Sequence, residues 1–348
     1  MTSITECNLI LTPQYIESTQ QKRGTMTFKA LIDREEPTLP GTVIPSVLET
    51  LMQRPAVHPP LPTAVVWPCS QFALSGAIDA AEAGVIEPIL IASKRELEEV
   101  AGDRAPLLSR CRMVEAADDH EAARIGAEMC RHGDAAALMK GSLHTDVLMH
   151  AVLTKDSGLR TTRRVSHIFV MDAPLYNRTL FITDAAINIY PTLDDKVGIT
   201  QNAIDLARVL GVPEPRVAIL SAAETVCSKI TSTLDAAALC KMAERGQITG
   251  GILDGPLALD TAVSRQAVEV KGIRSDVAGK ADILVVPDLE SGNMLAKQLE
   301  YLGGAALAGI VMGAKVPVIL TSRADPPRSR VVSCAIAALL AREGKNKN

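Results

Sequence analysis

The sequence predicts an α/β protein with two α/β lobes that are built on mainly parallel β-sheets. From Thr63 onward, short apolar runs alternate with helical stretches of roughly ten to fifteen residues. Uninterrupted apolar runs are typical of strands that are buried on both faces, and their alternation with helices predicts βαβ units. Four such runs precede and seven follow a break near Ser157–Arg164, which is more than one open sheet comfortably holds. The break therefore predicts a hinge between the lobes.

The first predicted lobe begins at residue 61 and ends at residue 157. A polar, proline-rich arm or linker precedes it over residues 1–60, with one short predicted helix near Val43–Arg54. The predicted strands of this lobe are the runs TAVVWP, PILIAS, RMVEA and AALMKG. Its predicted helices cover Gln71–Ala83, Arg95–Ala101, Asp119–Arg131 and Asp146–Leu153.

The second predicted lobe covers residues 158–321. Its predicted strands are the runs SHIFVMD, LFITDAA, RVAILSA, ITGGILDG, ADILVVPD, LAGIVMGA and PVILTS. The predicted helices between and after them cover Lys196–Leu210, Leu234–Arg245, Ala262–Val270, Met294–Tyr301 and Arg328–Ala341. The last of these helices follows the final strand of the lobe directly.

The composition excludes several classes of protein. A net charge of −4 and an aromatic content of 3% argue against nucleic-acid binding, which usually requires a basic surface or stacking aromatics. The seven cysteines are scattered without a C-x-x-C pair, as is typical of reduced thiols in the cytosol. We find no signal peptide and no apolar run of membrane-spanning length. The sequence therefore predicts a soluble cytoplasmic protein that binds neither nucleic acid nor membrane.

Common catalytic motifs are absent from the sequence. It contains no G-x-G-x-x-G or P-loop pattern for nucleotides, no H-E-x-x-H for zinc, and no G-x-S-x-G nucleophile elbow. The six histidines do not cluster at the spacing of metal ligands. The chemistry must therefore be sought in the loops that follow the predicted strands.

Polar residues and glycines in these loops are candidates for ligand contact, because ligands of open parallel sheets bind beyond the carboxyl ends of the strands. A lysine at the end of a buried strand is unusual, and a glycine permits close approach of a ligand to the backbone. Each position also has an ordinary role as a turn former or helix cap, which stays open. The candidates are Lys140, Gly141 and His144 in MKGSLHT, Asp184 and Asn188 in TDAAINIYP, Asp254 in DGPLALD, and Gly292 and Asn293 in PDLESGN.

The final predicted strand leads into the loop TSRADPP, which has the strongest functional signal. A cation directly before a helix N-terminus is electrostatically unfavourable unless an anion binds there, and the guanidinium of Arg323 suits a phosphate or carboxylate. Arg328 follows in the first predicted turn of the helix. Asp325 and Pro326 match the N-cap and N1 pattern, so capping is the favoured role of Asp325 on this ground alone. The loop predicts an anion site.

Six long motifs occur in order between about Thr63 and Ala341. They are LMKGSLHTDVLMHAVL, LFITDAAINI, STLDAAALCKMAERGQITGG, DGPLALDTAVS, ADILVVPDLESGNMLAKQL and IVMGAKVPVILTSRAD. Together they resemble the phosphate acetyl/butyryltransferase family, and in particular the acyltransferase half of bifunctional enoyl-CoA hydratase/phosphate acetyltransferases. Only about 60 residues precede the resembling region, so we expect no hydratase activity.

The resemblance implies the reaction acyl-CoA + phosphate ⇌ acyl phosphate + CoA for short acyl groups from acetyl to butyryl, by direct attack in a ternary complex. Coenzyme A and phosphate are then substrates, and no metal or redox cofactor is expected. It further implies α/β/α lobes like those of isocitrate and isopropylmalate dehydrogenases, with the active site in the cleft between them. Residues 322–348 would return to the first lobe, and the protein would form a homo-oligomer.

Residue roles follow from the same resemblance. Arg323 would bind the phosphate, and Ser322 would donate a hydrogen bond to the transition-state oxygen. The base aspartate of acetyl-specific relatives is replaced here by about Ser329, so thiol deprotonation is assigned to Asp325 or to the partial ionisation of CoA itself. Arg328 is a further candidate for substrate binding.

Two more departures from the family pattern concern substrate binding. The loop that usually reads E-T-V-N-P-K-x-P runs here from Glu224 to Thr231 as ETVCSKIT and includes Lys229, and the loss of two prolines and an asparagine predicts a looser loop. His150 stands where butyryl-type relatives often have a ligand-contacting arginine. These departures leave open a second function, that of a catalytically weak acyl-CoA-binding or assembly subunit. A metal-dependent hydroxy-acid dehydrogenase is a distant third.

Overall fold

The apolar runs of the sequence form eleven β-strands in the part of the chain that this computed structural model describes, residues 47–53, 59–322 and 325–346. Ten of them coincide with the predicted runs to within a few residues. The exception, β8, begins four residues after the predicted start at Ile248, because Gly250 turns the chain there with a φ of +87°. The strands are β1 (Leu61–Val66), β2 (Ile86–Ala92), β3 (Arg112–Glu115), β4 (Ala137–Lys140), β5 (Ser166–Asp172), β6 (Thr179–Thr183), β7 (Arg216–Leu220), β8 (Ile252–Leu257), β9 (Ile283–Val285), β10 (Ala306–Met312) and β11 (Val318–Ile319).

Five helices within the described residues begin after a residue whose side chain accepts a backbone amide of the first turn. The predicted helix from Met294 instead begins at Leu289, since Asp288 accepts the N–H of Ser291 at 2.8 Å. No helix within the described residues is long and apolar enough to cross a bilayer. The helices are α1 (Val47–Gln53), α2 (Gln71–Glu82), α3 (Lys94–Ala101), α4 (Ala105–Leu108), α5 (Asp119–His132), α6 (Thr145–Leu153), α7 (Leu193–Val209), α8 (Thr231–Glu244), α9 (Leu259–Val263), α10 (Arg265–Lys271), α11 (Leu289–Tyr301) and α12 (Pro327–Asn346).

All eleven strands of the described residues belong to one hydrogen-bonded sheet, with the order β3-β2-β1-β4-β11-β10-β5-β6-β9-β7-β8. Seven of the ten strand pairs are parallel, which confirms the α/β class with mostly parallel strands. The expectation that eleven strands would exceed one sheet is wrong. The division into lobes at residues 61–157 with 322–348, and 158–321, stays a prediction.

Three antiparallel pairs at the centre reverse the direction of the sheet. Short connections join β5 to β6 and β10 to β11, and strands joined by so few residues can pair only in the antiparallel sense. As a result, β6, β7, β8 and β9 end at the edge opposite to the edge where β1, β4 and β11 end. The predicted strand-end loops are therefore divided between two edges.

The two faces of the sheet are covered differently. One apolar core runs across the whole sheet on one face and includes Val65, Phe181 and Ile336. On the other face, the buried apolar residues form two separate clusters, one over the strands up to β4 with β11 and one over β5–β9. Gly309 on β10 lies at the centre, and a side chain there would overlap the carbonyl of Leu320 and the imidazole of His167. A narrow central strip thus separates the two clusters.

Candidate active site

The turn between β11 and α12 contains a buried carboxylate. Asp325 is 2% exposed, and its Oδ2 accepts the backbone N–H of Ser322 at 2.7 Å. The prediction that Asp325 caps the last helix at Pro326 is wrong, because α12 begins at Pro327. Neither proline has an N–H to donate, so the carboxylate turns back to Ser322 instead. Arg323 is the predicted anion ligand and lies outside the described residues.

The second oxygen of Asp325 has no hydrogen-bond partner among the described residues. Lys297 Nζ lies 3.6 Å from this oxygen, Oδ1, which is beyond hydrogen-bond distance. Burial raises the pKa of Asp325 above its ordinary value, although the amide of Ser322 and the charges of Lys297 and Arg330 act in the opposite direction. A buried carboxylate with an unsatisfied oxygen and a raised pKa is suited to accept and release a proton.

Charged side chains from two elements surround Asp325. From α11, Lys297 donates to Glu300 at 2.7 Å and lies 5.4 Å from the ring centroid of Tyr301. From α12, the buried Arg330 donates to the carbonyl of Ser322 at 3.4 Å. We call Ser322, Asp325, Arg330, Lys297 and Glu300 the Asp325 cluster. Its two cations balance its two carboxylates when Asp325 is ionised.

Lys297 stays protonated in this environment. Burial lowers its pKa, but the hydrogen bond to Glu300 and the charge of Asp325 outweigh burial and raise the pKa overall. For Arg330, burial is the largest effect and lowers the pKa from its very high ordinary value. The cluster therefore holds a charged ammonium group beside the carboxylate of Asp325.

The predicted site residues at the end of β4 and after it lie at the edge of the sheet where β11 also ends. Lys140 is the last residue of β4, is 8% exposed and follows Met139, which pairs with Ile319 of β11. A side chain at Gly141 would overlap the carbonyls of Val66 and Trp67 at the end of β1, so this glycine allows the chain to pass close to β1. His144 precedes α6 and His150 lies on it, and both are exposed. The sheet thus brings Lys140 beside the chain that leads to the Asp325 cluster.

Asp184 and Asn188 organise the loop that follows β6. The carboxylate of Asp184 accepts the backbone N–H groups of His167, Ala186, Ile187 and Asn188 at 3.0–3.2 Å. The Asn188 amide group donates to the carbonyl of Val165 at 2.9 Å, and its oxygen accepts from Arg164 at 2.6 Å. Both side chains bind groups of the protein that order this loop, and a contact of either with substrate stays a prediction.

Gly292 and Asn293 contact this same loop from α11. A Cβ at Gly292 would lie 3.0 Å from the carbonyl oxygen of Asp184, and Asn293 donates to the carbonyl of Ala185 at 3.3 Å. The group that closely approaches Gly292 is the backbone of the loop after β6, and it seats α11 on the sheet. Contact of Gly292 with a ligand stays a prediction.

Replacement of Asp184 by alanine is expected to lower the free energy of unfolding by about 3 kcal/mol, because several amides would lose their acceptor. Urea unfolding followed by circular dichroism measures this change. The exposed Asp276→Ala is the control, with an expected change within about 0.5 kcal/mol. An Asp184→Ala enzyme of unchanged stability but weakened substrate binding would show instead that Asp184 contacts a ligand.

The loop after β7 is fixed by side chains despite its departures from the family pattern. Glu224 accepts from Lys271 at 2.9 Å and from Thr261 at 3.0 Å, and although burial opposes them, these bonds lower its pKa. The hydroxyl of Thr233 accepts the N–H of Cys227 at 2.9 Å. These bonds hold the loop at Glu224 and Cys227, and the looser loop expected from the missing prolines stays a prediction.

Three further candidates lie in the loop after β7, in strand β8 and at the start of α12. Lys229 is exposed in the loop after β7. Asp254 lies inside the edge strand β8, where it accepts the N–H of Gly255 at 2.8 Å, so the prediction that it follows the strand is wrong. Arg328 is exposed on α12, 3.8 Å from Glu49 of α1. The sequence candidates also omit Lys297, Glu300 and Arg330, although Lys297 follows Asn293 by four residues and thus shares its helix face.

The fold and the Asp325 cluster together define an α/β enzyme whose titratable groups gather where a central strand ends. A family model described as "Phosphate acetyl/butaryl transferase" matches residues 110–338. The chain belongs to this family, which confirms the resemblance found in its motifs.

Curated relatives extend the match over most of the chain. The phosphate acetyltransferase of Rhizobium meliloti is 56% identical over 297 residues, which is 85% of this chain and 94% of the relative. The phosphate butyryltransferase of Clostridium beijerinckii is 41% identical over 267 residues, 77% of this chain and 88% of the relative. The crystal structure of a branched-chain phosphotransacylase from Enterococcus faecalis V583 superposes with a TM-score of 0.70 at 29% identity, covering 80% of this chain and 98% of that one.

Proposed function

We propose that this phosphate acyltransferase transfers short acyl groups, from acetyl to butyryl, between coenzyme A and inorganic phosphate. The observation that carries the proposal is the buried Asp325, which is bound to the amide of Ser322 and has one oxygen free of hydrogen bonds among the described residues. Relatives named for acetyl and for butyryl transfer both match the chain, which supports the range of acyl groups.

Asp325 is the base when acyl-CoA is formed. It takes the proton of the CoA thiol, the thiolate attacks the carbonyl carbon of the acyl phosphate, and the tetrahedral intermediate expels phosphate. In the opposite direction, phosphate attacks the thioester carbonyl and the protonated Asp325 returns its proton to the leaving thiolate. Both substrates are bound together, and the enzyme itself forms no covalent bond.

Ser322 and Arg323 bind the groups on which negative charge develops. By the resemblance, the Ser322 hydroxyl donates to the oxyanion of the intermediate and Arg323 binds the phosphate. Ser329, at the position of the base in acetyl-specific relatives, is buried in the first turn of α12 and cannot replace a carboxylate. The reaction draws on no metal or redox cofactor. Self-assembly and a cytoplasmic location stay predictions.

An acyl-chain series tests the proposal. Purified protein incubated with phosphate and acetyl-, propionyl- or butyryl-CoA is expected to release free CoA, detected with a thiol reagent, at a rate that depends on phosphate. The chain length with the highest kcat/KM identifies the preferred acyl group. Tight acyl-CoA binding in calorimetry without phosphate-dependent release would instead favour the acyl-CoA-binding subunit.

A further inference from the structure

We propose that Lys297 is a further residue of the active site, whose ammonium group binds the oxygens of the phosphate that attacks or leaves. The inference rests on the proposed acyl transfer and assigns the residue a role that its motif alone does not indicate. Lys297 reaches the end of β11 from α11, a helix that packs with the cluster over β5–β9. It therefore brings a cation from the part of the sheet around β5–β9 to Asp325, in the turn after β11.

The position of the ammonium group leaves part of its hydrogen-bonding capacity unused. Lysine has three N–H donors, and Glu300 takes one of those of Lys297 at 2.7 Å. The distance of 3.6 Å to Asp325 Oδ1 is an ion-pair contact that is too long for a hydrogen bond. Among the described residues, the ammonium group thus has donors available for a ligand beside Ser322.

The charge balance of the cluster links this lysine to the reaction. With Asp325 ionised, Lys297 and Arg330 balance Asp325 and Glu300. When Asp325 has taken up the thiol proton, Lys297 loses its ion pair with Asp325 and keeps the one with Glu300. At the same stage the leaving phosphate gains negative charge. An ammonium group that turns from Asp325 to the phosphate would stabilise that charge when it appears.

The test compares Lys297→Met with a matched lysine. Lys241 on α8 also pairs with a glutamate three residues later, Glu244, but it is exposed and lies on a different helix from Lys297. Lys297→Met is expected to lower kcat/KM for phosphate by about 10- to 100-fold, the range for a lost charge-assisted hydrogen bond. The KM for acyl-CoA should stay within about twofold of wild type, and Lys241→Met should change neither constant. Lys297→Arg, which keeps the charge, should recover part of the loss.

The outcomes separate binding from a structural role. A Lys297→Met enzyme with unchanged kcat/KM for phosphate overturns the inference. Equal losses for both substrates with a lower Tm would also overturn it, because they indicate damage to the fold. If Lys297→Met does not fold, Lys297→Gln keeps a donor for Glu300 and should show the same selective loss. An inactive wild-type enzyme would refute the proposed function itself, whereas an active one with a silent Lys297 refutes only this inference.

Discussion

Replacement of Arg323 by alanine is expected to lower the rate of phosphate-dependent CoA release by at least about 100-fold. The guanidinium group presents two parallel N–H donors to an anion, and its charge opposes the negative charge that gathers on the phosphate during transfer. Lys297 cannot supply both properties, since its ammonium group is a point charge without the planar fork. The rate is measured with acyl-CoA and phosphate at saturating concentrations, and the KM for phosphate is determined in parallel.

Arg95→Ala is the matched control for Arg323→Ala. Arg95 lies on α3, is exposed, and is 3.8 Å from Glu99, where an ion pair contributes little. Its removal is expected to change the rate by no more than about twofold. Normal turnover by the Arg323→Ala enzyme would refute the phosphate-binding role, and with it the anion site predicted from the loop TSRADPP.

The order of strands and helices follows from the sequence because apolar runs and caps are local signals. The run SHIFVMD is strand β5 residue for residue. The strand direction reverses where short connections pair β5 with β6 and β10 with β11. The order of predicted strands along the chain does not show which strands pair. For this reason, the sequence assigns to one crevice loops that the sheet places at two edges.

The site is predicted less completely than the fold. The resemblance to the family assigns roles to Ser322 and Asp325 in the loop after the final predicted strand, and these roles stay predictions. Asp184 and Asn188 also lie in a predicted strand-end loop, yet they bind backbone groups, because a polar residue after a strand satisfies a loop as readily as a ligand. Lys297 is missed because it lies in the third turn of a helix, and only the packing of α11 brings it to Asp325.

Asp325→Asn is expected to lower the rate of acyl-CoA formation by about 100-fold or more, since the amide cannot accept the thiol proton. Wild-type activity in this direction should fall as the pH drops through the raised pKa of Asp325. In the variant this acid limb should be lost, and the rate should instead rise about tenfold per pH unit toward the thiol pKa, because only thiolate formed in solution can react. A pH profile of kcat/KM from about pH 5 to 9 separates the two forms of dependence.

As the pH rises through the pKa of Asp325, the free energy of unfolding of the wild-type enzyme should fall while its activity rises. Because the pKa of Asp325 is higher in the folded than in the unfolded chain, its ionisation lowers the free energy of unfolding as the pH rises through that interval, and the penalty persists at neutral pH. Asparagine removes the buried charge and keeps an acceptor for Ser322, so Asp325→Asn should resist urea at least as well as wild type. Asp288→Asn, at an N-cap that accepts asparagine equally well, is the control and should retain full activity. An Asp325→Asn enzyme that is destabilised yet keeps the wild-type pH profile would show that the carboxylate supports the turn and is not the base.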